Sequence, residues 1–312
     1  MLTQYGFIDC YELPNKKMSS LVNKITLYQA EKEFFWDNGF IKLNRLLTSE
    51  AIDKLRELTY NSKQITKAPE YYTGDFSRIG YSVENAVTHQ IYSEENFKYT
   101  LKQLIENELT FTESVGFELT PNKRGFYFHL DVASFSFIQA EDLAYSIWIP
   151  LVPINTKYQH GGMAYVPQNV YPASGYFYLI YELVQHENIA EFCQTEDFKF
   201  FNFPHASKVE ELILEKNKVE DDFEVGDALL LNKFVWHRSA PLREGKLPSR
   251  MAYTMRFVDS QARYGKNFLD DFNYMVKAMG DDPLTSFGYK LTDLKEGDLI
   301  SKSKFVYSSN LC

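Results

Sequence analysis

At 312 residues the chain is long enough to bury one sizeable core, as a single domain or a domain with an extension. Its 45% apolar and 24% charged content is that of a folded protein, and a net charge of −9 speaks against nucleic acid, which needs a clustered basic surface. Three well-separated cysteines, Cys10, Cys193 and Cys312, suggest neither a zinc knuckle nor a disulfide framework and fit free thiols in a reducing cytosol.

The N-terminal stretch lacks a leader pattern and no apolar run approaches bilayer length, so the expected location is cytoplasmic, with no membrane partner. The first part, about 1–110, reads as helical. "SSLVNKITLYQAEKEFFWDNGF" spaces Leu21, Ile25, Tyr28 and Phe35 near one helical turn, with Gly39 as a stop. Thr48 opens "TSEAIDKLRELTY", where Ile52, Leu55 and Leu58 share a face, and "SEENFKYTLKQLIENELT" predicts a further helix. From about Phe111 the pattern turns to short strands: "FTESVGFEL", "GFYFHLDV", "SFSFIQ", "AYSIWIPLVPI", "GGMAYVP", "DALLLNKF" and "RMAYTMRFV". Closely spaced strands rich in Phe and Tyr predict a sandwich or closed architecture such as a jelly roll, over about 111–260. The segment 173–218 reads as a partly helical insertion, and 261–312 as a mixed C-terminal extension of one domain, 1–312.

"GFYFHLDVASF" is where chemistry first shows. Alternate strand residues share a face, so His129 and Asp131 project together. Two ligands are too few for an ion, and alone the pair is as well explained by a wet strand face. His89, His160, His186 and His205 lie in loops, turns or helix-like sequence, where solvated histidines are the rule. His237 differs, because "FEVGDALLLNKFVWHRSAP" places it where a buried strand emerges. Two histidines and a carboxylate leave open positions on an ion, the arrangement of non-haem Fe(II) oxygenases. A 2-oxoglutarate cosubstrate calls for a forked cationic anchor. Arg250 and Arg256 share one face of the last strand; Arg250 is expected nearer the metal, with Ser239 as a hydroxyl donor.

Over about residues 33–258 the sequence resembles the phytanoyl-CoA dioxygenase family of Fe(II)/2-oxoglutarate oxygenases. The likeness lies in "FFWDNGFIKLNRLLTSEAIDKLR", "FYFHLD", "YSIWIPLVPINTKYQHGGMAYVPQNVYP", "VGDALLLNKFVWHRSAP" and "SRMAYTMRFV", in that order. It implies a mainly β fold with flanking helices, a double-stranded β-helix (a distorted, cupin-like jelly roll). It implies His129, Asp131 and His237 as iron ligands, Arg250 as the 2-oxoglutarate partner with Ser239 beside it, and Trp148 as a wall of that subsite. Iron(II), 2-oxoglutarate and dioxygen are the implied cofactor and cosubstrates. "PQNV" and "HRSAPL" depart from the family's pattern, the latter placing bulky Arg238 next to a ligand. Asp131 stands where halogenating relatives have Gly or Ala, which speaks against halogenation.

The expected activity is oxidation of a small polar, amino-acid-like metabolite in specialised metabolism, hydroxylation by default, with desaturation or cyclisation sharing its first step. A non-catalytic binding protein on the same scaffold, or a hydrolase using another divalent ion, are the alternatives. For the substrate, Tyr127 is expected either to look into the pocket or to be a packing ring. Thr112, Ser114 and Glu118 share a strand face and offer polar contacts. Arg78 is either a clamp for a substrate carboxylate or, more commonly for such a residue, a solvated loop arginine.

Overall fold

The computed structural model describes residues 19–61, 75–82, 85–203, 205–280 and 287–306; Cys10 and Cys312 lie outside them. The chain enters extended. Leu21 and Val22 are buried, and the Glu94 carboxylate accepts from their N–H groups at 2.7 and 3.2 Å. Gln103 likewise accepts from the Leu27 N–H at 2.9 Å. These tertiary partners override the helical spacing of Leu21, Ile25 and Tyr28, so the first helix starts later than predicted, as α1 (Gln29–Asn38). Gly39 ends it as expected, at φ +82° with its N–H on the Phe35 carbonyl.

Then come β1 (Phe40–Leu43), α2 (Ser49–Asn61), β2 (Arg78–Ser82), α3 (Ala86–Ser93) and α4 (Glu95–Lys102). The N-terminal part is therefore more than helical, since β1 and β2 form the two edges of the main sheet. That antiparallel sheet is completed by β3 (Leu109–Leu119), β4 (Ala144–Pro150), β7 (Ala228–Asn232) and β9 (Arg250–Asp259), in the order β1-β7-β4-β9-β3-β2. A smaller sheet, β6-β5-β8, holds β5 (Met163–Tyr165), β6 (Val219–Glu220) and β8 (His237–Ser239).

Alternation along the main sheet decides what faces what. Tyr145, Ile147 and Ile149 of β4 and Tyr253, Met255 and Phe257 of β9 point outward into a core shared with α2 and α4. Trp148, Leu229, Leu231 and Ala252 point inward, where they meet Met163 and Tyr165 of the small sheet. In β3 the alternation is broken by a bulge between Phe111 and Glu113. Phe111 faces the helices, Thr112 is the extra residue, and Val115 and Phe117 face the inner core.

Two of the predicted strands do not form. Residues 125–132 bend at Phe128 and are joined to neighbours by isolated bridges, His129 pairing with both His237 and His205. "SFSFIQ" instead begins inside a 3₁₀ turn (Ala133–Phe135), and Phe135 and Phe137 are drawn into a cluster with Tyr264, Phe287 and Ile300. The insertion holds α5 (Ser174–Val184), α6 (Ile189–Phe192), α7 (Glu196–Phe201) and α8 (Lys208–Asn217). Its Phe177 and Ile180 pack with Phe268 and Phe272 of α9 (Lys266–Ala278), so the extension is bound to the insertion. Among the described residues, no helix is long and apolar enough to cross a membrane.

Candidate metal centre

His129 and His237 sit opposite each other and exchange both backbone hydrogen bonds, at 3.0 and 3.1 Å. Each ring is aimed by its own chain. His129 Nδ1 bonds the Tyr127 carbonyl at 2.8 Å and His237 Nδ1 the Val235 carbonyl at 2.9 Å. A carbonyl only accepts, so each Nδ1 carries the hydrogen and each Nε2 keeps a free lone pair. Those two Nε2 atoms lie 4.0 and 3.9 Å from Asp131 Oδ1, and the ring centroids are 4.3 Å apart.

Burial, reinforced by His237, pushes the His129 pKa well below the usual imidazole range, so its lone pair is available at neutral pH. Burial pushes Asp131 the other way, but Arg256, His237, His129 and Ser146 together bring it down to about 2. Two imidazoles, each with its Nδ1 occupied by a carbonyl, and a carboxylate are thus aimed at one point. Such a donor set, with all three ligand atoms within 4.8 Å of one another, fits a divalent first-row cation.

A second layer grips the carboxylate. Ser146 donates to Asp131 Oδ2 at 2.8 Å, and Arg256 Nη2 lies 3.5 Å from Oδ1. Arg256 Nη1 in turn pairs with Glu113 at 2.9 Å. Burial raises the Glu113 pKa and Arg256 opposes it. The arginine beside the metal ligands is thus Arg256, not Arg250 as the strand geometry suggested, because the bend at Phe128 brings Asp131 to the Arg256 level of β9.

Arg250 lies elsewhere in the same cavity, which opens between the sheets. Trp148, Phe117, Met163 and Leu231 wall it, and the half-buried Phe76, Phe126 and Arg238 form its rim. Arg250 is 1% exposed, and among the described residues it has no carboxylate partner and its Nε no acceptor. Its guanidinium sits 5.8 Å from the Trp148 ring centroid. Burial lowers its pKa to about 10, so it is still a cation at neutral pH. Ser239 also lines the cavity and accepts from the Phe126 N–H at 3.1 Å. That close approach needs Gly125, at φ +77°, where a side chain would collide with Ser239.

The expected substrate contacts are not brought here. The Tyr127 ring is 42% exposed and packs against His205 and Arg124, since the bend at Phe128 breaks the alternation that would have aligned it with His129. Arg78 is in a strand rather than a loop and is engaged by Glu118 and the Tyr60 carbonyl. Thr112 donates to the Arg256 carbonyl, Ser114 accepts from Tyr253, and Glu118 holds Arg78 and Ser249. Glu113 and Ser146 were missed. Ser146 was findable, as it shares a strand face with Trp148; Glu113 was not, because the bulge reverses its face. Arg238, seen in sequence only as bulk, is clamped by Glu215 of α8 at 2.7 and 3.2 Å.

No protein-family model matches the chain, and no curated protein sequence matches it. Solved structures do. A non-heme alpha-ketoglutarate-dependent carbocyclase, SnoK from nogalamycin biosynthesis, superposes with TM-score 0.56 at 16% identity, covering 90% of this chain and 95% of that one. The alpha-ketoglutarate-dependent epimerase SnoN from the same biosynthesis gives 0.57 at 12%, covering 89% and 96%. EctD from S. alaskensis, with bound Fe, gives 0.53 at 14%, covering 80% and 85%. At these identities the likeness is one of fold: the two facing antiparallel sheets form the double-stranded β-helix of these oxygenase structures.

Proposed function

We propose that the chain is an Fe(II)- and 2-oxoglutarate-dependent dioxygenase acting on a small polar organic molecule. The observation that carries this reading is Arg250, buried in the cavity of the three ligands with no carboxylate partner among the described residues. At the ligand end Arg256 offsets Glu113, and once Asp131 is assigned to a metal, Arg250 has no carboxylate partner among the described residues. A divalent ion together with Arg250 and Arg256 outweighs the two carboxylates by two charges. In a buried site that excess calls for a dianion. 2-Oxoglutarate is one, long enough to place a keto-acid end at the ion while its far carboxylate meets a guanidinium.

In this reading His129, Asp131 and His237 hold the iron, which when bound supplies oxidation of the substrate coupled to decarboxylation of the cosubstrate. Arg250 holds the far carboxylate, Ser239 adds a hydroxyl, and Trp148 with Phe117 and Met163 keeps water from that subsite. The substrate arrives past Phe76, Phe126 and Arg238, and an amino-acid-like metabolite of specialised metabolism suits that mixed apolar and cationic rim. Hydroxylation is the default outcome. The helical part, core, insertion and extension act as one domain around this site. A hydrolase using the same three ligands would leave Arg250 without an anion.

Anaerobic titration of the apo-protein with Fe(II) and then 2-oxoglutarate tests the reading. A visible charge-transfer band on adding the second ligand is expected; folded protein that gives none would overturn it.

A further inference from the structure

Glu113, Arg256 and Ser146 are direct cross-strand partners on three adjacent strands, β3, β9 and β4. All are buried, at 7%, 5% and 4% exposure. The row ends on one group: Ser146 reaches one oxygen of Asp131, Arg256 the other, and Glu113 backs Arg256. It exists because the bulge at Thr112 turns Glu113 inward; unbroken alternation from Phe111 would have sent it to the helices.

A cation against a metal's carboxylate ligand is a liability by itself, since it competes for the ligand's electrons and repels the ion. Glu113 cancels that repulsion while leaving the guanidinium fork in place. We infer that Glu113, Arg256 and Ser146 are positioning residues that hold Asp131 in its ligating orientation, with Glu113 as the counter-charge that makes a cation tolerable beside the metal. This rests on the proposed iron site, and it adds residues the ligand set does not contain. Outer partners of this kind typically change metal affinity by about 10- to 100-fold.

The test uses Co(II) alone, without 2-oxoglutarate, on the full-length apo-protein, reading dissociation constant, d–d absorption spectrum and melting temperature. Glu113→Gln keeps shape and hydrogen bonding but removes the charge, and is expected to weaken Co(II) binding by about tenfold or more. Arg256→Lys keeps the charge without the fork and is expected to alter the Co(II) spectrum while restoring part of the affinity that Arg256→Met loses. Ser146→Ala, a small change that leaves the fold intact, is expected to weaken binding by a smaller factor. Wild-type affinity and spectrum in Glu113→Gln, Arg256→Lys and Ser146→Ala, with only the melting temperature moved, would reduce the row to a structural role and overturn the inference. Wild-type protein that binds no Co(II) would remove the metal reading and this one together, so the two failures are distinguishable.

Discussion

The two arginines of β9 share a strand, a face and a cavity, yet their surroundings are opposite. Arg256 is met by Glu113 at 2.9 Å and Asp131 at 3.5 Å, whereas Arg250 is as deeply buried with no carboxylate beside it among the described residues. A buried charge without a partner is costly, and a fold that keeps one has a use for it. The contrast separates the end of the cavity where carboxylates meet the arginine from the end where, among the described residues, none does.

The largest effect is expected from removing the carboxylate that Arg256 and Ser146 hold. Asp131→Ala should weaken Fe(II) binding by more than the roughly 10- to 100-fold cost of losing an outer partner, with turnover falling in step, as metal retention after gel filtration will show. Full iron occupancy in that variant would take Asp131 out of the site. Next come the arginines, with opposite signs in the apo-protein. Arg256→Leu strands Glu113 and should cost about 3–5 kcal/mol in denaturant unfolding. Arg250→Leu removes an unpaired cation and should leave apo stability unchanged or raised. The same Arg250→Leu substitution should weaken 2-oxoglutarate by roughly 10- to 100-fold, the value of a charge-assisted hydrogen bond, with Co(II) affinity nearly unmoved. Equal destabilisation by both leucines would erase the contrast.

Lys233 sharpens it from outside the cavity. It is 3% exposed, between Phe177 and Phe234, donating to the Gln139 and Ala140 carbonyls at 3.2 and 2.8 Å. Burial lowers its pKa from 10.5 to about 7. The folded pKa lies below the unfolded one, so between those values the unfolded chain binds more protons and stability rises with pH; below about 7 the full penalty stands. Lys233→Met should therefore stabilise more at pH 6 than at pH 9, by up to about 1.4 kcal/mol per pH unit between the two pKa values. Equal gains at the two pH values in urea titrations would show that Lys233 stays charged throughout.

Much of this was legible in the chain. The grouping of His129, Asp131 and His237 and most core strands follow from alternation and from where apolar runs end, since strands whose inner face is buried leave a strong period-two imprint. What failed did so where one residue changes the period. The bend at Phe128 took Tyr127 out of the cavity and brought Asp131 to Arg256, and the bulge at Thr112 hid Glu113. The late start of α1 failed for another reason: Gln103, more than seventy positions away, takes the Leu27 N–H that a helix would have satisfied internally.

Both imidazoles are held by a carbonyl two residues earlier in their own chain, Tyr127 for His129 and Val235 for His237. Every amino acid brings the same carbonyl. No codon change at position 127 or 235 can delete that acceptor, whatever it does to the side chain. The aim of the two rings is therefore robust to drift: over evolutionary time the pocket around them can be rewritten for a new substrate while their heading is inherited with the backbone.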